Sequence, residues 1–414
     1  MKKTKILFLL SIFAVFAVLS ACSDDKGSSE GGGSDTIEVW AMGEEGKKLE
    51  ELTKKFEEEN EGLNVEVQAI PWGNAHDKLL TAVASGNGPD VLQLGTTWVA
   101  EFAEAGALKD LSEYMDEYPE FAPENYFEGS KAVMKNGEEV VGIPWYVDTR
   151  VLYYRTDILK EAGYDKAPQT WEELKEAAAT LADRGEDQYG LDIDQNDQIT
   201  PFIFAWQNGY EADLENKDLN FDSPEFIEAM EYYHSFFKKG YSQTEQGGDI
   251  VQAFSNGSKP MFFSGPWMIN IINDQAPEIK DKWATAVMPK KESNTSSMGG
   301  SVLTVFNSSD NVDNALKFIS YMNEVETQIE WLEISNTLPA RTEAWEDPLL
   351  TDNPNYKVFG EQLKDAKAGI QIEEFERIAQ ELLSSLERIN AGGADLEEEM
   401  KQFNKTAQEL LEEE

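Results

Sequence analysis

Two histidines and one cysteine are the whole stock of imidazole and thiol in 414 residues, which confines nucleophilic and metal chemistry from the start. His76 and His234 stand in no zinc spacing, and neither has a cysteine partner. His234 falls inside the aromatic run Tyr232 to Phe237 and reads as a packed or surface side chain. Carboxylates are abundant, 79 in all, so an acid pair for glycoside hydrolysis is not excluded by count, but no spacing singles one out. The runs Glu57 to Glu59 and Glu397 to Glu399 read as solvated helix faces. The sequence therefore assigns no catalytic residue.

One segment has the look of a metal site. Asp192-Ile-Asp194-Gln-Asn196-Asp197 places oxygen ligands at alternate positions, like the first half of a calcium loop. The pattern then fails: Asp197 stands where the sharp turn needs Gly, and Ile203 where the bidentate Glu belongs. An acidic turn is the favoured reading, with no metal and no cofactor. Aromatic residues say more. Trp72, Trp98, Trp145, Trp206 and Trp267 lie just beyond strand-like segments or in polar loops, where a large ring can stay partly exposed. Such rings stack on flat apolar sugar faces while nearby polar groups bond to hydroxyls. Trp171 and Trp331, on helical periodicity, are assigned to the core.

The N-terminus supplies an address. Lys2, Lys3 and Lys5 precede an apolar run from Ile6 to Leu19, then Ser20-Ala21-Cys22, the order of an export signal over residues 1–21 with lipidation at Cys22. Residues 22–35, rich in Gly, Ser and acid, read as a flexible tether. The expected place is the outer face of a cell membrane, held by lipid. With 79 acidic against 35 basic residues the formal charge is -44, which repels nucleic acid. Self-repulsion on that scale suits a saline or alkaline habitat. Aromatic content of 11% excludes a disordered chain, and the length of the body predicts two domains.

Strand and helix patterns alternate through that body. Thr36 to Trp40, Val65 to Ile70 and Val91 to Leu94 read as strands, with a helix through Leu49, Leu52 and Phe56 between the first two. Gly142 to Trp145 and Val151 to Tyr154 are two more strands around a non-apolar break, Asp148-Thr149-Arg150, placed to cross between domains. Thr170-Trp-Glu-Glu173 is a capping box, and Ser223-Pro224 opens a helix that Gly240 stops. Met261 to Phe263, Thr285 to Val287 and Ser301 to Phe306 are further strands, and amphipathic helices begin near Asn314, Ile372 and Asp395. The class is α/β, with parallel-rich sheets covered by helices.

Ordered motifs across this body carry a family resemblance. Gly88-Pro-Asp-Val91 with Trp98, Gly142-Ile-Pro-Trp145 through Asp148 to Tyr153-Tyr-Arg155, and Pro168-x-Thr-Trp-Glu-Glu-Leu174 come first. Ala253-Phe-Ser-Asn-Gly257, Ser264-Gly-Pro-Trp267, Met288-Pro289, Gly299-Gly300 and Leu338-Pro-Ala-Arg341 follow. In this order, after a lipobox, the chain resembles the sugar-binding lipoproteins of ABC transporters, the group of maltose- and oligosaccharide-binding proteins. The resemblance implies a two-lobed periplasmic-binding-protein-like fold of type II, each lobe a sheet flanked by helices, with a hinge between. By analogy lobe one takes residues 36–147 and 301–338, and lobe two 148–300 and 339–414. It implies a ligand-binding set of Glu44, Glu45, Trp72, Thr97, Trp98, Tyr146, Asp148, Trp206, Asn208, Trp267, Gly300 and Arg341. Its partners would be an oligosaccharide and the permease subunits of an ABC transporter, with the chain a monomer on a Gram-positive cell surface and no enzyme. Two rivals stay open: a lipid-anchored glycoside hydrolase, and the same fold binding a peptide, polyamine or metal chelate.

Overall fold

The computed structural model describes residues 35–245 and 248–412. The expected export signal, Cys22 and the tether up to residue 34 lie outside those residues. The first strand, β1 (Thr36–Met42), alternates its side chains as a strand buried on both faces must. Ile37, Val39 and Ala41 enter one hydrophobic cluster, and Trp40 and Met42 enter another. The strand β2 (Asn64–Ile70) pairs parallel with β1 in register from Thr36 opposite Asn64, and β3 (Val91–Gly95) lies on the other side of β1, also parallel. These three are joined through helices at Glu50–Glu59 and Trp72–Ser85, as parallel strands require a crossover.

The strand β4 (Ile143–Asp148) belongs to the same sheet, but β5 (Val151–Arg155) does not. The two residues between them, Thr149 and Arg150, carry the chain from one sheet to the other. A second sheet of three strands has β5 at its centre, flanked by β6 (Met261–Ser264) and β7 (Trp283–Ala286). The chain then returns: β8 (Gly299–Val305) inserts antiparallel between β3 and β4, and β9 (Leu338–Pro339) adds an edge beside β4. The first sheet reads β9-β4-β8-β3-β1-β2 in space. Parallel pairing is thus confined to its β3-β1-β2 end. The second sheet is wholly antiparallel, because both neighbours run against β5.

Helices close both sheets. Leu52 and Phe56 meet Phe318, Ile319 and Met322 of the helix Val312–Met322 on one face of the first sheet. Ala75, Leu79 and Phe102 cover the other face. Leu152 and Met261 of the second sheet face a cluster built from Trp171, Leu174, Phe202 and Phe226, which the helices Phe375–Asn390 and Leu396–Glu412 complete through Leu382, Leu386 and Phe403. Thr170 caps its helix by accepting from the Glu173 N–H at 3.2 Å, and Glu173 accepts in turn from the Gln169 N–H at 2.7 Å, one residue earlier than a strict box. Among the described residues no helix is long and apolar enough to cross a membrane.

Three helices occupy places that loop-like composition marks as irregular. Trp72 and Trp267 are the first residues of the helices Trp72–Ser85 and Trp267–Gln275, and Trp206 lies near the end of Thr200–Gln207. In each case a proline, Pro71, Pro266 or Pro201, sits at or beside the helix start, where its fixed φ favours the first turn.

Candidate ligand-binding cleft

The carboxyl ends of β1, β2, β3 and β4 and the amino end of antiparallel β8 all point to one side of the first sheet. Ligands in open α/β sheets bind at such an edge. A cavity of about 610 Å³ lies there, between that edge and the segments of the second sheet that carry Arg150 and Trp267. This size is within the range of small-molecule sites.

Exposure separates the tryptophans. Trp72 and Trp267 remain 37% and 39% exposed, the only large aromatics so exposed among the described residues, and both line this cavity. Trp98 joins them, its ring 5.5 Å from Trp72 in an edge-to-face arrangement. Two glycines make room for the rings. At Gly43, where φ is +61°, a Cβ would come within 2.6 Å of the Trp72 Nε1, and at Gly265 within 2.1 Å of the Trp267 ring. Tyr153 fixes the second of these turns by donating its hydroxyl to the Gly265 carbonyl at 2.7 Å.

Polar groups converge on the same space. Arg150 donates from Nε to Asp197 Oδ2 at 2.8 Å and from NH1 to Asp148 Oδ1 at 3.0 Å, and its guanidinium lies 4.9 Å from the Trp267 ring centre. Burial alone would push this guanidinium down, but the carboxylates of Asp197 and Asp148 outweigh it and hold the proton more tightly than usual. Burial raises the Asp148 carboxyl, with Arg150 pulling the other way, and burial raises Glu45. The Tyr146 hydroxyl accepts from Gln93 Nε2 at 3.1 Å and from Ser301 Oγ at 3.0 Å, and Gln93 is anchored by accepting from the Met42 N–H at 2.7 Å. Burial pushes the Tyr146 phenol well above its ordinary range, so it stays a neutral hydroxyl.

Of the residues singled out from the sequence, Glu45, Trp72, Thr97, Trp98, Tyr146, Asp148, Trp267 and Gly300 are brought together around this cavity. Four others stand elsewhere, each for a local reason. Glu44 points to solvent in an ion pair with Lys47 and borders a neighbouring cavity of about 660 Å³ that shares Trp72 and Trp267 with the cleft. Trp206 is buried against Phe202, and Asn208 donates to the Glu225 carbonyl at 2.7 Å where its helix ends. Arg341 is buried away from the cleft and donates to the Asn323 carbonyl at 2.9 Å, just past the end of the helix Val312–Met322, where a cation is favoured. Trp145 also departs from expectation. It is fully buried, stacked on Trp331 at 5.1 Å.

Two carboxylates of the acidic turn have cationic partners. Asp192 pairs with Lys259 at 2.6 Å and Asp197 with Arg150, and among the described residues no group of three or more acidic, His or Cys side chains is placed to hold a metal ion. Sequence reasoning passed over Arg150, Asp197, Gln198, Ser297, Asn336 and Glu376 as cleft residues. Arg150 had a visible signal, a charge in the break between two strands. Glu376 had none, being one of many acids on an amphipathic helix.

A family model described as bacterial extracellular solute-binding protein matches residues 40–329, well over half of the chain. The chain belongs to this family. The solute-binding protein is similar to the sugar-binding protein MalE of the phytopathogen Xanthomonas citri, with 33% identity, a TM-score of 0.86, and coverage of 91% of this chain and 97% of that one. It is 25% identical to a Brucella abortus (strain 2308) protein described as a binding protein, across 88% of this chain and 90% of that protein. A maltooligosaccharide ABC transporter solute-binding lipoprotein of Streptococcus pneumoniae (strain R6) is 24% identical across 83% and 82%. The solute-binding protein has the two-lobed architecture of this group, and the group consists of binding proteins, not enzymes.

Proposed function

We propose that this solute-binding protein captures a di- or oligosaccharide between its lobes and delivers it to the permease of an ABC transporter. The observation that carries the reading is the convergence of Trp72, Trp98 and Trp267 with Tyr146 and the Asp148, Arg150, Asp197 triad on one cavity. Indole faces suit the apolar faces of sugar rings, and the ionised groups bind hydroxyls more strongly than neutral ones. The sugar-binding relatives from Xanthomonas and Streptococcus agree with it.

Lobe one is taken as residues 36–147 with 301–338 and lobe two as 148–300 with 339–414. Sheet membership supports this division to within a residue or two at β8 and β9. A sugar that touches both lobes favours their closure, because the extra contacts exist only in the closed form. Cys22 carries the lipid that holds a monomeric body at the outer face of a Gram-positive cell membrane. Delivery needs no bond to be broken.

A thermal-shift screen against di- and trisaccharides, followed by calorimetry, tests the reading. Micromolar binding, about -8 kcal/mol, with the sugar recovered intact by chromatography is the expected result. No stabilisation by any saccharide, or release of a shortened product, overturns it.

A further inference from the structure

Charge in the cleft narrows the ligand class, provided that the cleft is a sugar site. Its ionisable walls are Glu45, Asp148, Arg150, Asp197 and Glu376, a single cation against four carboxylates. That cation is already paired with two of them. Both Asp148 and Asp197 accept from it, at 3.0 and 2.8 Å, and its face lies on Trp267. An incoming anion would meet a guanidinium whose charge two carboxylates already offset, and would meet Glu45 and Glu376 as well.

Those two carboxylates have no cationic hydrogen-bond partner. Glu376 accepts from the neutral amides of Gln198 at 2.9 Å and Gln380 at 3.5 Å, and Glu45 has no side-chain partner among the described residues. They approach from different parts of the fold: Glu45 from the short helix that follows β1, Glu376 from the helix Phe375–Asn390. A second unpartnered polar group belongs to a residue of the same cavity. The Ser297 hydroxyl, 3% exposed and bordering the cavity, has no hydrogen-bond partner among the described residues. Buried hydroxyls are rarely left so. Indole faces attract cations, and Arg150 over Trp267 already adopts that geometry.

We propose that the cleft selects an oligosaccharide bearing a protonated amine over its neutral counterpart and rejects one bearing a carboxylate. The ammonium group donates to Glu45 or Glu376 and sits against an indole, while the remaining hydroxyls bond to the other polar groups that line the cavity. Charge-assisted hydrogen bonds and a desolvated cation over a ring supply the preference.

Calorimetry on the purified full chain with maltotriose, its 6-amino-6-deoxy derivative and its 6-carboxy derivative tests this. The amine should bind about tenfold more tightly than maltotriose and the carboxylate about tenfold more weakly, with both differences shrinking between about 50 mM and about 500 mM salt. In the double variant Glu45→Gln, Glu376→Gln the amine preference should fall to within about twofold. The salt series on the unmodified chain reads the same effect without relying on the variant's folding. If maltotriose binds as well as the amine or better, the amine preference is refuted and the sugar reading survives. If none of the three binds while the chain is folded, both are refuted for this class of glycan.

Discussion

Two pairs of tryptophans show opposite uses of the same side chain. Trp145 and Trp331 stack at 5.1 Å in the core, both nearly inaccessible, with neither indole N–H bonded to a group of the described residues. Trp72 and Trp267 stand on opposite sides of the cleft and keep more than a third of their surface exposed. Each residue of the first pair finds another indole to cover it. In the second pair Trp72 meets Trp98 only edge-on and Trp267 meets Arg150, and both rings border the cavity with Gly43 and Gly265 beneath them. The exposed pair is thus a feature that burial would have removed, since leaving an indole half in water forgoes a large share of its hydrophobic stabilisation. Its persistence fits a place where a ligand completes the packing.

That contrast can be broken by substitution. The largest effect expected is on stability: Trp145→Ala removes a buried ring and should cost about 3 to 5 kcal/mol in urea unfolding. A loss below about 1 kcal/mol would mean that the core tolerates the cavity and that the pair is less distinct than its burial implies. Trp267→Ala should do the reverse. Oligosaccharide affinity should fall by about tenfold, with the melting temperature of the unliganded chain shifted by no more than about 2 °C. Equal affinity in the variant would remove Trp267 from the site.

The smallest expected effect sharpens the electrostatic side of the cleft. Burial pushes the Glu45 carboxyl up, so the folded chain holds this proton more readily than the unfolded one. Folding stability from this group is therefore complete below the ordinary carboxylate pKa and declines as pH rises through the raised one. Glu45→Gln removes the decline. The variant should melt slightly above the parent at neutral pH, and the difference should vanish well below the ordinary carboxylate pKa of about 4.3, where both side chains are uncharged. A variant that melts lower at neutral pH would show that ionised Glu45 has a stabilising partner.

Much of the framework was legible. The strand from Thr36 to Trp40, the capping box at Thr170, the Ser223-Pro224 helix start and the amphipathic C-terminal helices all rest on local patterns of burial and hydrogen bonding. Strand order was not legible. The insertion of β8 between β3 and β4, and the antiparallel second sheet, arise from pairings between segments far apart in the chain. Helices beginning at Trp72 and Trp267 were hidden because glycine and proline beside them look like loop composition.

The site divides along the same line. Local sequence determined that Asp148 and Arg150 sit at a break between strands, and that a large ring follows Gly265-Pro266. Only the tertiary structure decided that Arg150 would bridge Asp148 to Asp197, that Glu376 would reach the same space, and that Trp145 would be covered while Trp72 was not. Strand and helix periodicity is set within a few residues by backbone geometry, so a short window reveals it. Exposure and charge pairing depend on what the fold brings opposite a side chain, and nothing in the neighbouring residues records that.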